Sequence, residues 1–548
     1  MVLSAAMATG LLAGAALGHD GNSVHYVRVD GSDSNDGHTD SAGGAWLTIN
    51  KALSALTAGD EARVQPGTYH AATYHHYTGS ANGIVIRRNG DSGVVLLTSG
   101  GDRILRTDPA SSGAVTFEYI TFDDADCTYV LTPKGATSLT FNHCTFGASG
   151  DMAAHGFFRG EDATSNTTRH YTFHNCTIHS RGAGHLIEAY NMGIGKLVFS
   201  GCTVHLGSGL NLVWNNSATG FEVVNCTIHQ STTVTGRVIV GTSTNADIGY
   251  TRVTGNVINL AGAETNCGVI SLASGCGDAM VVDNLLNIGS SANGCVGIQF
   301  GVDGTSEPAR PPGLCICVRN TVRYTGTGIS HGILFGTGAN GGVCSFNTIA
   351  GGDYGIVVKG NDSAFAHNVV YGSGAGYAAA VYVRGGDRNR FTFNTLYNGS
   401  PANFETIRID SHATGYEAYR NVFTDNIIVA AGGVNHAVHD CQTTERGQVF
   451  DRNCYWGGDA GVMYLSWKSG AENRQHIADV RSAWSGLGGF NAANDANSIE
   501  ADPQFVNAAG GDFRIGFGSP CAGTPSWFWR DLGAWQRRVR KPAGPVQE

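Results

Sequence analysis

Lys359 and Arg384 hold the same place in two copies of one short motif. Gly355-Ile-Val-Val-Lys-Gly-Asn-Asp362 is answered by Ala380-Val-Tyr-Val-Arg-Gly-Gly-Asp387. If these are strands of adjacent coils, the two side chains stand about 4.8 Å apart, one layer of a sheet. Two cations at that distance repel, which favours loss of the lysine proton unless an anion lies between them. A lysine of lowered pKa is what a general base near neutral pH requires. Asp410 follows in the next strand, and Tyr382 and Arg408 precede Arg384 and Asp410 by two residues, on the same strand faces. Such a set can remove a weakly acidic C–H proton beside a carboxylate. The arginines would pair with the carboxylate and stabilise the charge that develops.

The elements that must position these residues are read from a repeat. Asn-Cys-Thr-Ile-His occurs at Asn175–His179 and Asn225–His229, with Gly201-Cys-Thr-Val-His205 between them. Asn256-Val-Ile, Asn284-Leu-Leu, Asn320-Thr-Val, Asn347-Thr-Ile, Asn368-Val-Val and Asn394-Thr-Leu continue the beat. A period of about 27 residues marks a stacked repeat, and Gly-rich spacers leave no room for a helix in each one. The expected fold is all-β: a single-stranded parallel β-helix with a short N-terminal capping helix and a loop-rich C-terminal cap. The Asn residues are expected to form one stacked column. Strands aligned by inward pairs such as Ile298/Phe300 and Ile356/Val358 leave two outward columns. One reads Ser271, Gln299, Leu334, Val357, Tyr382, Arg408; the other Ala273, Gly301, Gly336, Lys359, Arg384, Asp410. The small residues of the second column are expected to floor a groove. Lys359 is assigned as base, Arg384 as its partner and Tyr382 as proton donor to the leaving oxygen. Arg408, Asp410, Gln299, His331 and His412 are assigned to substrate binding.

The 548 residues carry a net charge of −10, with 79 glycines and only 14% charged residues. That balance excludes a nucleic-acid partner, whose phosphates need a Lys/Arg excess. An anionic polysaccharide could still bind through a local basic patch. Residues 2–17 are apolar or small and end in Ala16-Leu17-Gly18, so residues 1–18 read as a signal peptide and the chain as secreted or periplasmic. No later run reaches the length of a membrane span. Residues 19–75 read as the N-terminal cap, 76–450 as the β-helix and 451–548 as the C-terminal cap. Cys144, Cys176, Cys202 and Cys226 share one repeat position and are expected inside as free thiols. Cys441 and Cys454 are the expected disulfide. His179, His205 and His229 are expected to stack on the outside, as a solvated turn or a transition-metal subsite. Asp30, Asp33, Asn35 and Asp36 read as an Asx-type turn rather than a calcium loop. The sequence is silent on oligomeric state.

Tyr26-Val-Arg-Val-Asp-Gly-Ser-Asp-Ser-Asn-Asp-Gly37, the helical spacing of Trp46, Ile49, Leu53 and Leu56, and Val64-Gln-Pro-Gly-Thr-Tyr69 form a distinctive opening. Asp502-Pro-Gln-Phe-Val-Asn507, Gly511-Asp-Phe-Arg-Ile515 and Asp531-Leu-Gly-Ala-Trp535 form a matching close. Both resemble secreted right-handed parallel β-helix proteins of the polysaccharide lyase type. Lys359 followed one coil later by Arg384 resembles the catalytic pair of the chondroitinase-B and alginate lyase family. The resemblance implies a lysine that abstracts the uronate C5 proton and an arginine that assists. It also implies calcium, held by two carboxylates just before the lysine. Here the sequence departs, since Asp353 stands between Gly352 and Tyr354 with no second carboxylate; Arg384 and Arg408 would then neutralise the uronate. Two rival functions compete with a lyase. A glycoside hydrolase would use Asp410 with Glu405 or Asp353 across about 5–9.5 Å. A non-catalytic adhesin would use Tyr382 and the His column as sugar contacts.

Overall fold

The computed structural model describes residues 23–522 apart from a set of internal segments, among them 305–310, 401–404, 412–416 and 442–446. His412 and the leader at 1–18 therefore lie outside the described residues. Among the described residues, three sheets of 16 strands each wind into one β-helix, parallel throughout except for the last strand of the second, Glu472–Arg474, which pairs antiparallel. The first runs from Val24–Val27 to Val449–Asp451, the second from His75–Tyr77 to Glu472–Arg474 and the third from Gly67–Ala71 to Ile499–Glu500. Strands at Glu61–Val64, Gly67–Ala71 and His75–Tyr77 already belong to the three sheets, so coiling begins within the segment read as a cap. The helix Ile49–Ala55 starts at Thr48, whose side chain accepts from the Lys51 amide. Its apolar face, Ile49, Ala52 and Leu53, is buried against the first coil.

Alternation puts every second residue of each strand inside, where like stacks on like. Phe365, Phe391, Phe423 and Phe450 form one column with ring centroids 4.7, 4.5 and 4.8 Å apart. That spacing is the strand separation itself. Cys144, Cys176, Cys202 and Cys226 are buried in the same interior, as expected.

The asparagine beat needs a correction, because it consists of two columns. Asn175 and Asn225 sit at a left-handed corner with φ of 51° and 53°. Gly201 and Gly255 occupy the same corner, a conformation that glycine and asparagine tolerate best. The next residue turns inward, and there Cys226 is followed by Asn256, whose Oδ1 accepts the Cys226 amide. From Asn256 through Asn284, Asn320, Asn347, Asn368, Asn394 and Asn426 to Asn453, each amide nitrogen donates to the next Oδ1 at 2.9–3.1 Å. The buried ladder thus continues the cysteine column. It satisfies the corner backbone, since each Oδ1 also accepts the preceding main-chain N–H.

The expected Cys441–Cys454 disulfide is also corrected. Cys454 bonds Cys521, tying the terminal segment to the third sheet, and Cys441 is a thiol. Cys441 follows the second-sheet strand His436–Asp440 whereas Cys454 lies in the third sheet, which the linear spacing cannot show. At the opening turn, Asp33 accepts from the Leu47 and Thr48 amides and Asp30 pairs with Arg28. The expected Asx turn is seen at Asp36, whose Oδ1 accepts from the His38 amide two residues on, while Asp33 and Asp30 make the other contacts described.

Candidate functional site

The second sheet presents the outward columns in the expected register. Ser271, Gln299, Leu334, Val357, Tyr382 and Arg408 are successive partners. Val358 pairs with Val383 and Arg384 with Asp410, so Lys359 and Arg384 occupy adjacent layers. The phase read from the sequence is the phase of the structure.

What lies over these columns differs from expectation. Gly301 and Gly336 do not floor an open groove; they let two turns pack backbone to backbone. A Cβ at Gly301 would stand 2.7 Å from the Thr337 carbonyl oxygen, and one at Gly336 2.3 Å from that of Val302. The turn so placed carries Asp303 over Lys359. The lysine side chain is only 2% exposed and its Nζ is bonded to the Asp303 carboxylate and, at 2.9 Å, to the Asp303 carbonyl. Burial pushes the Lys359 pKa below the usual amine value; Asp303 opposes that shift and Arg384 adds to it. Sequence reading missed Asp303 because it lies 56 residues upstream, in a turn that strand alignment does not include.

Tyr382 is the hub of the site. Its ring stacks on Tyr354 at 5.2 Å, and Tyr354 in turn stacks on His331 at 5.5 Å. The Arg384 and Arg408 guanidinium carbons lie 5.9 and 5.4 Å from the Tyr382 ring centre, within the range of a cation–π contact. Burial pushes the Tyr382 hydroxyl up to about 12, so it keeps its proton at neutral pH. Arg408 pairs with Asp410 at 3.3 Å and Glu405 at 4.0 Å. Arg384 is half-buried and, among the described residues, makes no hydrogen bond or ion pair.

The other assigned residues divide. Gln299 is buried and occupied, donating to the Gly301 carbonyl at 3.0 Å and accepting from Ser271 at 3.3 Å. It supports the turn and does not face a ligand. His331 is held neutral, its pKa pushed down to about 4 by burial, with a buried Nδ1 that has no hydrogen-bond partner among the described residues. Asp353 is half-buried and pushed up to about 6 by that burial. Calcium takes six to eight oxygen ligands, and Asp353 has no second carboxylate beside it in Gly352 or Tyr354. These residues do not fit the expected ion.

A second group escaped sequence reading. Glu405 pairs in register with His436, and Arg408 with His439, so one carboxylate and two imidazoles meet across one layer. His439 Nδ1 lies 2.7 Å from Glu405 Oε1 and its Nε2 lies 3.5 Å from the Cys441 sulfur. Cys441 and Glu405 together push the His439 pKa up to about 9. Burial works against the Glu405 charge, yet His439 and Arg408 hold its carboxyl below the usual range. The available signal was His436-x-x-His439, one layer beyond the last strand aligned.

On the third sheet His179, His205 and His229 are successive partners with stacked rings 4.7 and 5.6 Å apart. The column continues as Asn259, Asn287 and Arg323, beside a shallow groove of about 490 Å³.

No protein-family model and no curated protein matches the sequence. Solved structures do resemble it. A mannuronic-acid-specific family 6 polysaccharide lyase from human gut microbiota is 13% identical, covering 74% of this chain and 84% of its own, with a TM-score of 0.35. A PL6-family lyase from Pseudopedobacter saltans is 14% identical over 77% of this chain and 91% of its own, at 0.27. Tailspike protein 3 of bacteriophage CBA120 is 13% identical over 79% of this chain and 61% of its own, at 0.35. No helix among the described residues is long and apolar enough to cross a membrane.

Proposed function

We propose that this chain is a polysaccharide lyase that cleaves a uronic-acid polymer by β-elimination. The supporting observation is Arg384: a half-buried guanidinium without a counter-ion among the described residues, one layer from Lys359 and against Tyr382. Such a group is an anion site, and the planar fork of arginine suits a carboxylate. A uronate carboxylate on Arg384, with Arg408 beside it, would have its charge neutralised, and the C–H proton next to it becomes easier to remove. Release of the Asp303 carboxylate removes an anion from Lys359 while the Arg384 cation stays one layer away, which favours the neutral amine. Lys359 then takes the C5 proton, the C4–C5 double bond forms, and the C4–O bond breaks. Tyr382 gives its proton to the leaving oxygen.

The hydrolase alternative fits the charges less well. A glycosidase needs one carboxyl protonated; Glu405 and Asp410 both lie against Arg408 and the Glu405 carboxyl is held below the usual range, so of the three only Asp353, raised to about 6, suits the acid. The test is incubation with a panel of uronate polymers, following ultraviolet absorbance of unsaturated ends together with reducing ends. Absorbance and reducing ends rising together support a lyase. Reducing ends alone would indicate hydrolysis, and binding without either would indicate an adhesin; each of those outcomes refutes the proposal.

A further inference from the structure

We propose that Glu405, His436 and His439 form a binding site for a divalent transition-metal ion of the zinc class. The proposal does not rest on the lyase reading. One donor atom from each residue lies within 4.8 Å of the other two. Donors around zinc sit about 3.2–3.5 Å apart, given bonds of about 2.0–2.2 Å, so side-chain rotation of about 1 Å closes the set. The backbone already places them: Glu405 and His436 are register partners, and the two imidazole rings are stacked at 5.0 Å.

The groups behind the donors are those a metal site needs. A ligating histidine generally gives its other ring nitrogen to a fixed partner, and a ligating carboxylate is itself bonded. His439 presents Nδ1 to Glu405 Oε1 while the Cys441 sulfur holds Nε2 at 3.5 Å. The second oxygen, Oε2, faces the Arg408 guanidinium at 4.0 Å. Oε1 and Nδ1 are bonded to each other at 2.7 Å and lie within 4.8 Å of a His436 nitrogen, so a bound ion would take the place of that hydrogen bond. Because Cys441 and Glu405 take opposite nitrogens of His439, the sulfur belongs to the supporting set and not to the ligands. Two imidazoles and one carboxylate select zinc, nickel or cobalt over calcium or magnesium, which prefer all-oxygen shells. Three protein ligands leave a fourth position open to water or another donor.

The test uses the full chain, stripped with a chelator and titrated with zinc and, separately, calcium by calorimetry, with cobalt absorption reporting tetrahedral geometry. One zinc per chain is expected, bound at least about a hundredfold more tightly than calcium. His436→Ala and His436→Gln leave the His439–Glu405 hydrogen bond in place, so folding is checked by circular dichroism in both. Each should weaken zinc binding by more than about a hundredfold, and Cys441→Ala by about tenfold. Absence of stoichiometric uptake overturns the site. So does uptake unchanged in both His436 variants, including the case in which His205→Ala abolishes it and the ion belongs to the third-sheet column.

Discussion

Replacing Asp303 by Asn tests whether Lys359 is the base, because it removes a charge and leaves the contact. The Asp303 carbonyl still accepts from Nζ at 2.9 Å, and an Asn side-chain oxygen can still accept. Lys359 therefore stays satisfied while the bond favouring its charged form weakens. A hydrogen bond to a charged group contributes about 1.5–3 kcal/mol. The Asp303 side chain is 49% exposed, so solvent screening cuts the difference to about half or less. At about 1.4 kcal/mol per unit, that lowers the Lys359 pKa by roughly 0.5–1 unit. A base works deprotonated, so the rate climbs with pH through its pKa. The climbing limb of the kcat/KM profile, followed by absorbance of unsaturated ends, should move to lower pH by that amount. A limb that stays in place or moves up in Asp303→Asn refutes Lys359 as the base. In the companion variant Lys359→Met the limb itself should vanish and the rate fall by about 10²–10⁴.

Arg384→Ala should reduce kcat/KM by about 10²–10³ while the melting temperature holds, since the guanidinium makes no hydrogen bond among the described residues; an equal loss in stability would make it structural. Asp353→Asn should stabilise the protein by about 1–2 kcal/mol at pH 7 and above, measured by denaturant unfolding, after discounting for partial exposure. The Asp353 carboxyl is held near 6 in the fold against about 3.9 unfolded. Its stabilising neutral form is present in full below about 4 and lost as pH rises through 6, so the gain from Asn should disappear in acid. Asn347→Ala should cost about 3–5 kcal/mol, because the Asn320 amides lose their acceptor and the Cys317 carbonyl its donor in a buried corner. A loss below about 1 kcal/mol would mean that water replaces the amide.

The fold and the faces of Lys359, Tyr382, Arg384 and Arg408 were legible because a solenoid is periodic. Once the inward pair Ile356/Val358 is fixed, Val357 and Lys359 must lie outside, and Tyr382, Arg384 and Arg408 follow layer by layer. Periodicity carries nothing about the turns. Asp303 reaches Lys359 from a turn two layers away, and the Cys454–Cys521 bond joins a strand to a terminal segment. The glycines at 301 and 336 were read as an open floor because small side chains suit both exposure and close approach; the Thr337 and Val302 carbonyls decide for close approach. The two-column nature of the asparagines was hidden by a one-residue offset, since Asn is at home both in a left-handed corner and in a buried amide ladder.

That offset also bears on where the site lies. The ladder begins at Asn256 and runs to Asn453, and the strands that carry Lys359, Tyr382, Arg384, Arg408 and His439 all fall within it. Upstream the same corner holds thiols, whose hydrogen bonds run to main-chain carbonyls at 3.3–3.6 Å. An amide that donates twice and accepts twice fixes both the spacing and the rotation of neighbouring layers, whereas a thiol donates one weak bond. Cations one layer apart need that constraint, because Lys359 and Arg384 gain by separating whenever no anion lies between them. The ladder at the corner opposes that separation and so holds Arg384 one layer from Lys359, where the proposed carboxylate would meet it.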